Sequence, residues 1–175
     1  MNLLNKSIIL IFSLSHSVCQ CDGFNWYHDF SIDDCNQGDV AVLNQFIINS
    51  KKSLNTDMDI NFNYKIDPIE LGWQLWEEGR LIHWICEDVP SPYYVYNYSC
   101  NLSGEIPDNI SDLDKIIKLK IQYNNLNGNI PNSICNLDIV NSSNYWFKIN
   151  HNNLCPPFPD CIRLWNRQQI NQTCK

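Results

Sequence analysis

Positive charge is scarce in this sequence. Twelve Lys and Arg residues stand against 19 Asp and Glu residues, which gives a net charge of −7, and no dense basic run occurs. Because binding to a phosphate backbone needs a patch of Lys and Arg, the composition argues against a nucleic-acid partner. An acidic surface is more compatible with cation binding or with simple solubility.

The sequence also lacks the motifs of catalysis. It contains no GxSxG, no HExxH and no glycine-rich phosphate-binding loop. Four histidines are scattered along the chain, at His16, His28, His83 and His151. Glu77 and Glu78 are neighbours that would point apart on a helix, so they make a poor acid–base pair. We therefore predict that the chain is not an enzyme.

The apolar stretch at the start of the chain is too short to cross a bilayer, which needs roughly 20 residues. Residues 8–14 are apolar, follow Lys6 and precede small residues, which is the pattern of a secretory signal. We predict a signal peptide over residues 1–17 and a mature protein that is secreted or extracytoplasmic, at the cell surface or in the periplasm, with no transmembrane span. An anchor that is never cleaved is the alternative. A lipoprotein form through Cys19 or Cys21 fits less well, because neither cysteine follows a Leu-small-small pattern.

Cysteine, by contrast, is plentiful, with nine residues in the chain. Behind a signal peptide this number favours disulfides in an oxidising compartment. All nine would remain after cleavage at residue 17, so at least one thiol is unpaired or pairs with another chain. The spacings do not suit zinc, because Cys19 and Cys21 stand too close together and no CxxC or His-x3-His is present.

The most informative feature is an internal repeat. LSGEIP at residues 102–107 returns as LNGNIP at residues 126–131, an offset of 24 residues. A third copy follows at an offset of 28, where FxIxxNxL at residues 147–154 matches LxIxxNxL at residues 119–126. A period in the twenties with leucine-like positions and a fixed Asn is the signature of leucine-rich repeats.

This LxGxIP form resembles the plant-type extracellular leucine-rich repeats of receptor-like kinases and polygalacturonase inhibitors. The resemblance covers about residues 81–162 and implies an α/β fold: a short solenoid of about three repeats, with short parallel strands on a concave face. We expect strands at residues 118–122 and 147–149 that pair with each other, with Leu119 and Ile121 buried. Asn124 should turn inward and satisfy backbone groups. Gly128 suits a position with little room or a positive φ.

The first repeat can be placed in two registers. The offset of 24 puts Asn97 at a position that should be apolar. The alternative strand, LxxWxC at residues 81–86, fits better and makes residues 87–97 an insertion. Before it, the sequence Gly-Arg-Leu at residues 79–81 resembles the Gly-Arg-Val that opens the first repeat of the plant proteins. We favour this second register.

Both ends of the repeats resemble caps, which a short stack needs in order to cover its apolar interior. LCPPFPDC at residues 154–161 is similar to the Leu-Cys-Gly-x4-Cys ending of the plant ectodomains and implies a Cys155–Cys161 disulfide, before a C-terminal tail at residues 163–175. We also expect a Cys86–Cys100 disulfide, because it would clamp the inserted loop.

Residues 18–80 are expected to form an N-terminal cap. Apolar residues at helical spacing predict one helix from Asp39 onward and a second over residues 68–78. The plant ectodomains also begin with a short helical cap, so the resemblance and the spacing agree here.

Between these two predicted helices, residues 59–70 can be laid on the twelve-residue EF-hand calcium loop. The oxygen ligands, in positions one, three, five, seven, nine and twelve, would come from Asp59, Asn61, Asn63, the Lys65 carbonyl, Asp67 and a bidentate Glu70. Tyr64 departs from the pattern, because its position normally needs Gly with a positive φ. Any calcium affinity should therefore be weak, in the millimolar class of extracellular modules. A vestigial loop that keeps the helix–turn–helix shape without metal is the alternative.

Residues that flank the inward pair of each strand should project from the concave face. In the second and third repeats these are Lys118, Lys120, Gln122, Tyr123, Trp146, Lys148, Asn150 and His151. Exposed aromatics, amides and lysines together suit a binding surface. The pattern predicts a secreted or cell-surface module that binds a protein, peptide or glycan through this face. A structural or adhesive surface protein is one alternative, although so few repeats make a short spacer. An inhibitor of a secreted hydrolase is another, by analogy alone.

Overall fold

A computed structural model describes residues 23–24, 32–51, 53–87, 98–143 and 145–162. The predicted signal peptide, residues 88–97 of the predicted insertion and the C-terminal tail lie outside these ranges. The described chain is a mixed α/β structure with one α-helix and mostly parallel strands. None of its helices combines the length and the apolar character that a membrane span requires.

The helix α1, Gln37–Ser50, begins at an N-cap and packs by one apolar face. The side-chain oxygen of Asn36 accepts hydrogen bonds from the backbone N–H groups of Gly38 and Asp39, at 3.0 and 3.2 Å. Such a cap satisfies donors that the first turn of a helix leaves without partners. The buried apolar side chains of α1 are Val42, Leu43 and Phe46. The helix predicted from Asp39 is confirmed.

Within the described ranges, eight strands form two sheets. They are β1 (Gly23–Phe24), β2 (Trp73–Glu77), β3 (Arg80–Ile85), β4 (Ser103–Gly104), β5 (Lys118–Lys120), β6 (Asn125–Asn129), β7 (Phe147–Lys148) and β8 (Asn153–Cys155). The first sheet has the order β1-β2-β3-β5-β7 and the second the order β4-β6-β8. Only the pairs β1–β2 and β2–β3 are antiparallel, whereas the strands that follow pair in parallel.

The parallel pairs place each repeat beside the next. β5 and β7 pair with Leu119 opposite Phe147, and Leu119 and Ile121 are fully buried, so the two predicted strands are confirmed. β3 pairs with β5 with Trp84 opposite Leu119. The strand of the first repeat therefore lies at residues 80–85, as the favoured register predicted.

Two buried asparagines hold successive repeats together. The side-chain oxygen of Asn124 accepts from the backbone N–H of Leu102 at 2.8 Å, and its amide group donates to the carbonyls of Cys86, Ile121 and Gln122. In the next repeat the side-chain oxygen of Asn152 accepts from the N–H of Leu126 at 3.1 Å. The inward turn predicted for Asn124 is confirmed, and each side chain satisfies backbone groups of its own repeat and of the preceding one.

Gly104 and Gly128 stand 24 residues apart at equivalent repeat positions, with φ of 74° and 72°. A Cβ added to Gly104 would lie 2.5 Å from the backbone oxygen of Asn49, so α1 approaches β4 more closely than any side chain allows. A Cβ on Gly128 would meet the side chain of Glu105 at 2.9 Å. The positive φ favours glycine at both positions, and at Gly104 the backbone of α1 also leaves no room for a Cβ.

The second predicted helix, over residues 68–78, is wrong. Pro68–Glu70 form one 3₁₀ turn, and β2 follows as a strand. In β2 the buried side chains alternate, with Gln74 and Trp76 inside and Glu77 exposed, so the period is two. Glu78 and Gly79 have φ of 51° and 72°, the two positive values of a tight hairpin turn, which folds β2 onto β3. The predicted helix–loop–helix cap is thus a helix, a loop and a hairpin.

One predicted disulfide is confirmed and the other is wrong. Cys86 and Cys100 are bonded, with Cα atoms 5.3 Å apart. Cys161 bonds to Cys135 rather than to Cys155, with Cα atoms 5.7 Å apart. Cys135 lies on the 3₁₀ segment Asn132–Asn136 of the preceding repeat. The bond therefore joins two successive repeats, whereas the expected one would have closed a short loop within the cap. Cys35 and Cys155 also form disulfides.

Candidate binding face

One side of the five-stranded sheet is packed and the other carries large polar and aromatic side chains. β5 alternates across the two sides, with Leu119 buried and Lys118 and Lys120 half-buried on the outer side. β7 continues this pattern, because Phe147 is buried and Lys148 lies opposite Lys120. We call this outer side the binding face; it comprises Trp73, His83, Glu87, Lys118, Lys120, Tyr145, Trp146 and Lys148.

Aromatic rings follow one another across the binding face. The ring centroids of Trp73 and His83 are 6.0 Å apart, those of His83 and Trp146 6.4 Å, and those of Trp146 and Tyr145 4.9 Å. The first two pairs are tilted and the third is perpendicular. Trp146 and Tyr145 are 38% and 57% exposed, and large aromatic side chains in contact with water are the usual anchors of an interface.

Lysine side chains lie among these rings. The Lys118 ammonium is 5.1 Å from the ring centroids of both Tyr145 and Trp146, and that of Lys120 is 5.1 Å from the ring of Tyr145. Ring faces attract cations, so these contacts favour the observed positions of the two ammonium groups. Lys120 also forms an ion pair with Glu87, with the nitrogen 4.0 Å from the carboxylate oxygen.

The structure divides the eight residues predicted for the concave face into three groups. Four of them lie together on the binding face, namely Lys118, Lys120, Trp146 and Lys148. Gln122 was expected to be exposed, but it is 5% exposed, because its amide donates to the Glu87 carboxylate at 2.7 Å and the side chain is covered.

The remaining three predicted residues lie where the strands turn. The rings of Tyr123 and His151 stack with centroids 4.1 Å apart, and both residues have a positive φ. The carbonyl of Asn150 accepts a hydrogen bond from the backbone N–H of Tyr123 at 3.3 Å. These residues thus form a second aromatic cluster, in the chain segments that follow β5 and β7.

Sequence reasoning missed four residues of the face: Trp73, His83, Glu87 and Tyr145. Trp73 falls within the predicted second helix, a segment that forms β2 instead. His83 lies in the favoured strand at residues 81–86, where alternation with the buried Trp84 could have placed it outside. Tyr145 falls between the second and third copies of the repeat, where the offset lengthens from 24 to 28 residues, and no pattern in the sequence indicates that it contacts the sheet.

His83 should make stability depend on pH. Burial lowers the pKa of His83 from its ordinary value of 6.5, and the charge of Lys118 lowers it further. At a pH between the pKa of His83 in the folded chain and its higher pKa in the unfolded chain, the unfolded chain binds more protons than the folded chain. The free energy of unfolding therefore rises with pH in this range. We expect the free energy of unfolding to fall as the pH drops below about 6.5, and His83→Gln to lose this component. Denaturant titrations of both proteins between about pH 7.5 and pH 5.5 would measure it; identical pH profiles would contradict it.

The predicted calcium ligands do come together, but their oxygens accept hydrogen bonds from the loop itself. The carboxylate of Asp59 accepts from the backbone N–H groups of Asn63 and Tyr64, at 3.1 and 2.8 Å. The side-chain amides of Asn61 and Asn63 both donate to Asp67 Oδ2, at 3.0 and 2.9 Å. Residues 59–67 therefore form a loop closed by polar groups that point inward.

Glu70 is arranged as a cap of the loop. It is 4% exposed; its Oε1 accepts from the N–H groups of Ile60 and Asn61, and its Oε2 from that of Asp67 at 2.9 Å. Glu70 and Asp67 also form a reciprocal capping box. Both carboxylate oxygens, which a bidentate calcium ligand would use, thus accept hydrogen bonds from backbone N–H groups of the loop. Within the described ranges, no three or more His, Cys, Asp or Glu side chains are grouped to hold a metal ion.

Replacing Glu70 with glutamine distinguishes its role as a cap of the loop from its predicted role as a calcium ligand. Because three backbone N–H groups depend on its carboxylate, we expect Glu70→Gln to lower the free energy of unfolding by about 1–3 kcal/mol in calcium-free buffer. Calcium binding stays a prediction, checked by calorimetric titration of the wild type beside Glu70→Gln. No heat from the wild type at millimolar calcium, or equal heats from both proteins, would contradict it.

Tyr64 occupies the loop position that normally needs glycine, and its φ is 66°. Its side chain is 96% exposed, so it gains nothing by packing. A left-handed conformation costs a residue with a Cβ about 1–2 kcal/mol. We therefore expect Tyr64→Gly to be more stable than Tyr64→Ala by about 1 kcal/mol, although glycine has the more flexible unfolded chain. Equal denaturation midpoints for the two variants would show that the backbone is not strained there.

No protein family model matches the chain, and no curated protein matches it in sequence. Eleven chains of solved structures match it in fold. One is the crystal structure of PEPR1–AtPEP1, which is 14% identical, with a TM-score of 0.49, over 72% of this chain and 16% of that chain. This chain therefore spans less than a fifth of the length of that protein. Neither family nor function follows from a likeness at this level.

Proposed function

We propose that this chain is a short leucine-rich-repeat module that works outside the cytoplasm and binds a protein, peptide or glycan through the binding face. The repeat at residues 102–107 and 126–131, the inward asparagines and the parallel strands support the repeat family. The disulfides Cys86–Cys100 and Cys135–Cys161 support an oxidising compartment.

One observation carries the functional part of the proposal. Trp146 and Tyr145 are exposed beside three lysines on the same side of one sheet. Exposed aromatic surface costs free energy in water, at about 25 cal/mol per Å² of apolar area. A cluster of such side chains on a rigid sheet is the composition of an interface centre, where a partner covers it.

A capture experiment tests the proposal. The purified chain is immobilised, exposed to the native extracellular medium, and compared with Trp146→Ala. Tyr64→Ala is the matched control, because it removes another exposed aromatic ring, which lies in the loop at residues 59–67 and not on the face. A stoichiometric ligand that is lost with Trp146→Ala and kept with Tyr64→Ala supports binding through this face. Retention of the ligand by both variants places the site elsewhere.

The same experiment separates the alternatives. If the immobilised chain captures only further copies of itself, it is a structural or adhesive protein. If it captures and inactivates a secreted hydrolase, it is an inhibitor. We propose neither as the main function, because no described contact favours them over a binding module. We further propose that the chain has no catalytic activity of its own.

A further inference from the structure

We infer that the ligand of the binding face is an extended peptide segment with acidic side chains at alternate positions. The inference rests on the proposed function and deepens it, because it names the chemistry that the face would recognise. Three independent features of the face lead to it: its charge, the way its lysines are held, and their spacing.

The charge of the face is opposite to that of the chain. The whole chain carries −7, whereas the face has Lys118, Lys120 and Lys148. Among the described residues, one ion pair joins these lysines to a carboxylate, between Lys120 and Glu87 at 4.0 Å. The Lys120 side chain is 15% exposed and is already paired, so the local excess of positive charge comes from Lys118 and from Lys148, which lies opposite Lys120. A ligand with negative charge is complementary to this excess.

The rings hold a cation in place without neutralising it. Lys118 contacts the rings of Tyr145 and Trp146, and these two rings are perpendicular to each other. A flexible lysine held in this way loses less entropy when a carboxylate binds, so the cation is preorganised. The same rings present apolar edges to a ligand next to the charge.

The spacing of the lysines suits an extended peptide. Lys118 and Lys120 lie on the same side of β5, two residues apart, which is about 6.6 Å along a strand. An extended peptide that runs along β5 presents alternate side chains at the same repeat. Lys148, opposite Lys120 on β7, adds a second cation at one of these positions. A Glu-x-Glu or Asp-x-Asp segment therefore matches the face.

An anionic glycan fits less well. Sugars stack on open ring faces, but Lys118 stands over the rings of Trp146 and Tyr145. The rings of Trp73 and His83 are inclined at 31°, and those of His83 and Trp146 at 44°, so they offer no common plane. Trp and Tyr are also enriched among the residues that contribute most of the binding energy in protein interfaces.

The test uses the full-length mature chain and two synthetic libraries of nonapeptides, with Glu-x-Glu or Gln-x-Gln fixed at the centre. We expect the wild type to bind the acidic library about tenfold more tightly or better, with the difference shrinking as salt is added. The double variant Lys118→Glu with Lys120→Glu should abolish the preference. Lys115→Glu is the matched control, because Lys115 is exposed, pairs with Asp114 and lies off the face, and it should leave the preference unchanged.

Other results would overturn the inference in distinguishable ways. Equal binding of both libraries that is lost with Trp146→Ala would refute the acidic preference and leave the proposed function standing. No binding of the acidic library at millimolar concentration, with binding of a polyuronate oligosaccharide, would assign the face to a glycan. Binding that survives both Trp146→Ala and the double reversal would refute the binding face itself. Circular dichroism and denaturation of every variant would confirm that each is folded.

Discussion

Replacing Asp39 with alanine should lower the free energy of unfolding by about 3–5 kcal/mol, because it leaves a partly buried guanidinium without its main partner. Asp39 lies in α1 and is fully buried. Its two carboxylate oxygens accept from Nε and Nη2 of Arg80, each at 2.9 Å, and one of them also accepts from the N–H of Leu81 at 2.8 Å. These bonds attach α1 to β3, so their loss should weaken the contact between helix and sheet. Denaturant unfolding of both proteins would measure the change.

Asp114 provides the matched control, because it pairs with the same arginine from the surface. It is 57% exposed, and the hydrogen bond from Arg80 lowers the pKa of its carboxyl group below the ordinary value. An exposed ion pair contributes little, so Asp114→Ala should cost at most about 1 kcal/mol. Equal losses for Asp39→Ala and Asp114→Ala would mean that the buried bonds do not hold the helix on the sheet.

Asn124→Ala should lower the free energy of unfolding by about 3 kcal/mol or more. The substitution leaves the N–H of Leu102 and the carbonyl of Cys86 without their partner in the interior, and it weakens two further carbonyl contacts. Each buried polar group that loses its hydrogen bond costs about 1–3 kcal/mol, and water cannot replace the side chain in a packed repeat. The loss should be seen as a lower denaturation midpoint with an unchanged slope.

Asn125, the residue after Asn124, provides a control in the same segment of the chain. Asn125 is exposed, and its amide donates to Asn101 Oδ1 at 2.8 Å. Asn125→Ala should therefore stay within about 0.5 kcal/mol of the wild type, as surface substitutions usually do. If Asn124→Ala lowered the free energy of unfolding as little as Asn125→Ala, the inward amide of Asn124 would not be the group that joins the repeats.

The sequence was most informative where one pattern was repeated. Leu119, Ile121 and Asn124 recur at a fixed offset in the next repeat, and each recurrence restricts the backbone in the same way, so strands and buried asparagines followed directly. The segment at residues 73–77 has no second copy. Its apolar residues fit a helix or a strand, and pairing with β3 decided in favour of the strand. Cysteine pairing was equally open, because Cys135 and Cys161 are brought together only by the stacking of two repeats.

The binding face was only partly predictable for the same reason. Lys118, Lys120 and Lys148 follow from strand alternation within the repeats. Trp73 joins them through a hairpin that no repeat encodes, and Tyr145 through a loop of variable length. Gln122 alternates correctly but is covered by Glu87, a contact between residues 35 positions apart. Local patterns specify which side of the sheet a side chain faces, whereas its burial depends on neighbours that are distant in sequence.

The two inward asparagines also affect how cooperatively the repeats unfold. Asn124 joins the repeat of β5 to Cys86 and Leu102, and the amide of Asn152 donates to the Ile121 carbonyl at 2.9 Å. In a linear array, stability is a sum of terms for each unit and for each junction between neighbours. In the described part of the chain, the junctions of the β5 repeat with its two neighbours each contain a buried amide, so opening one unit breaks bonds in the next. Backbone hydrogen exchange at Leu102 and Leu126 should accordingly occur only through unfolding of the whole array, without fraying from either end.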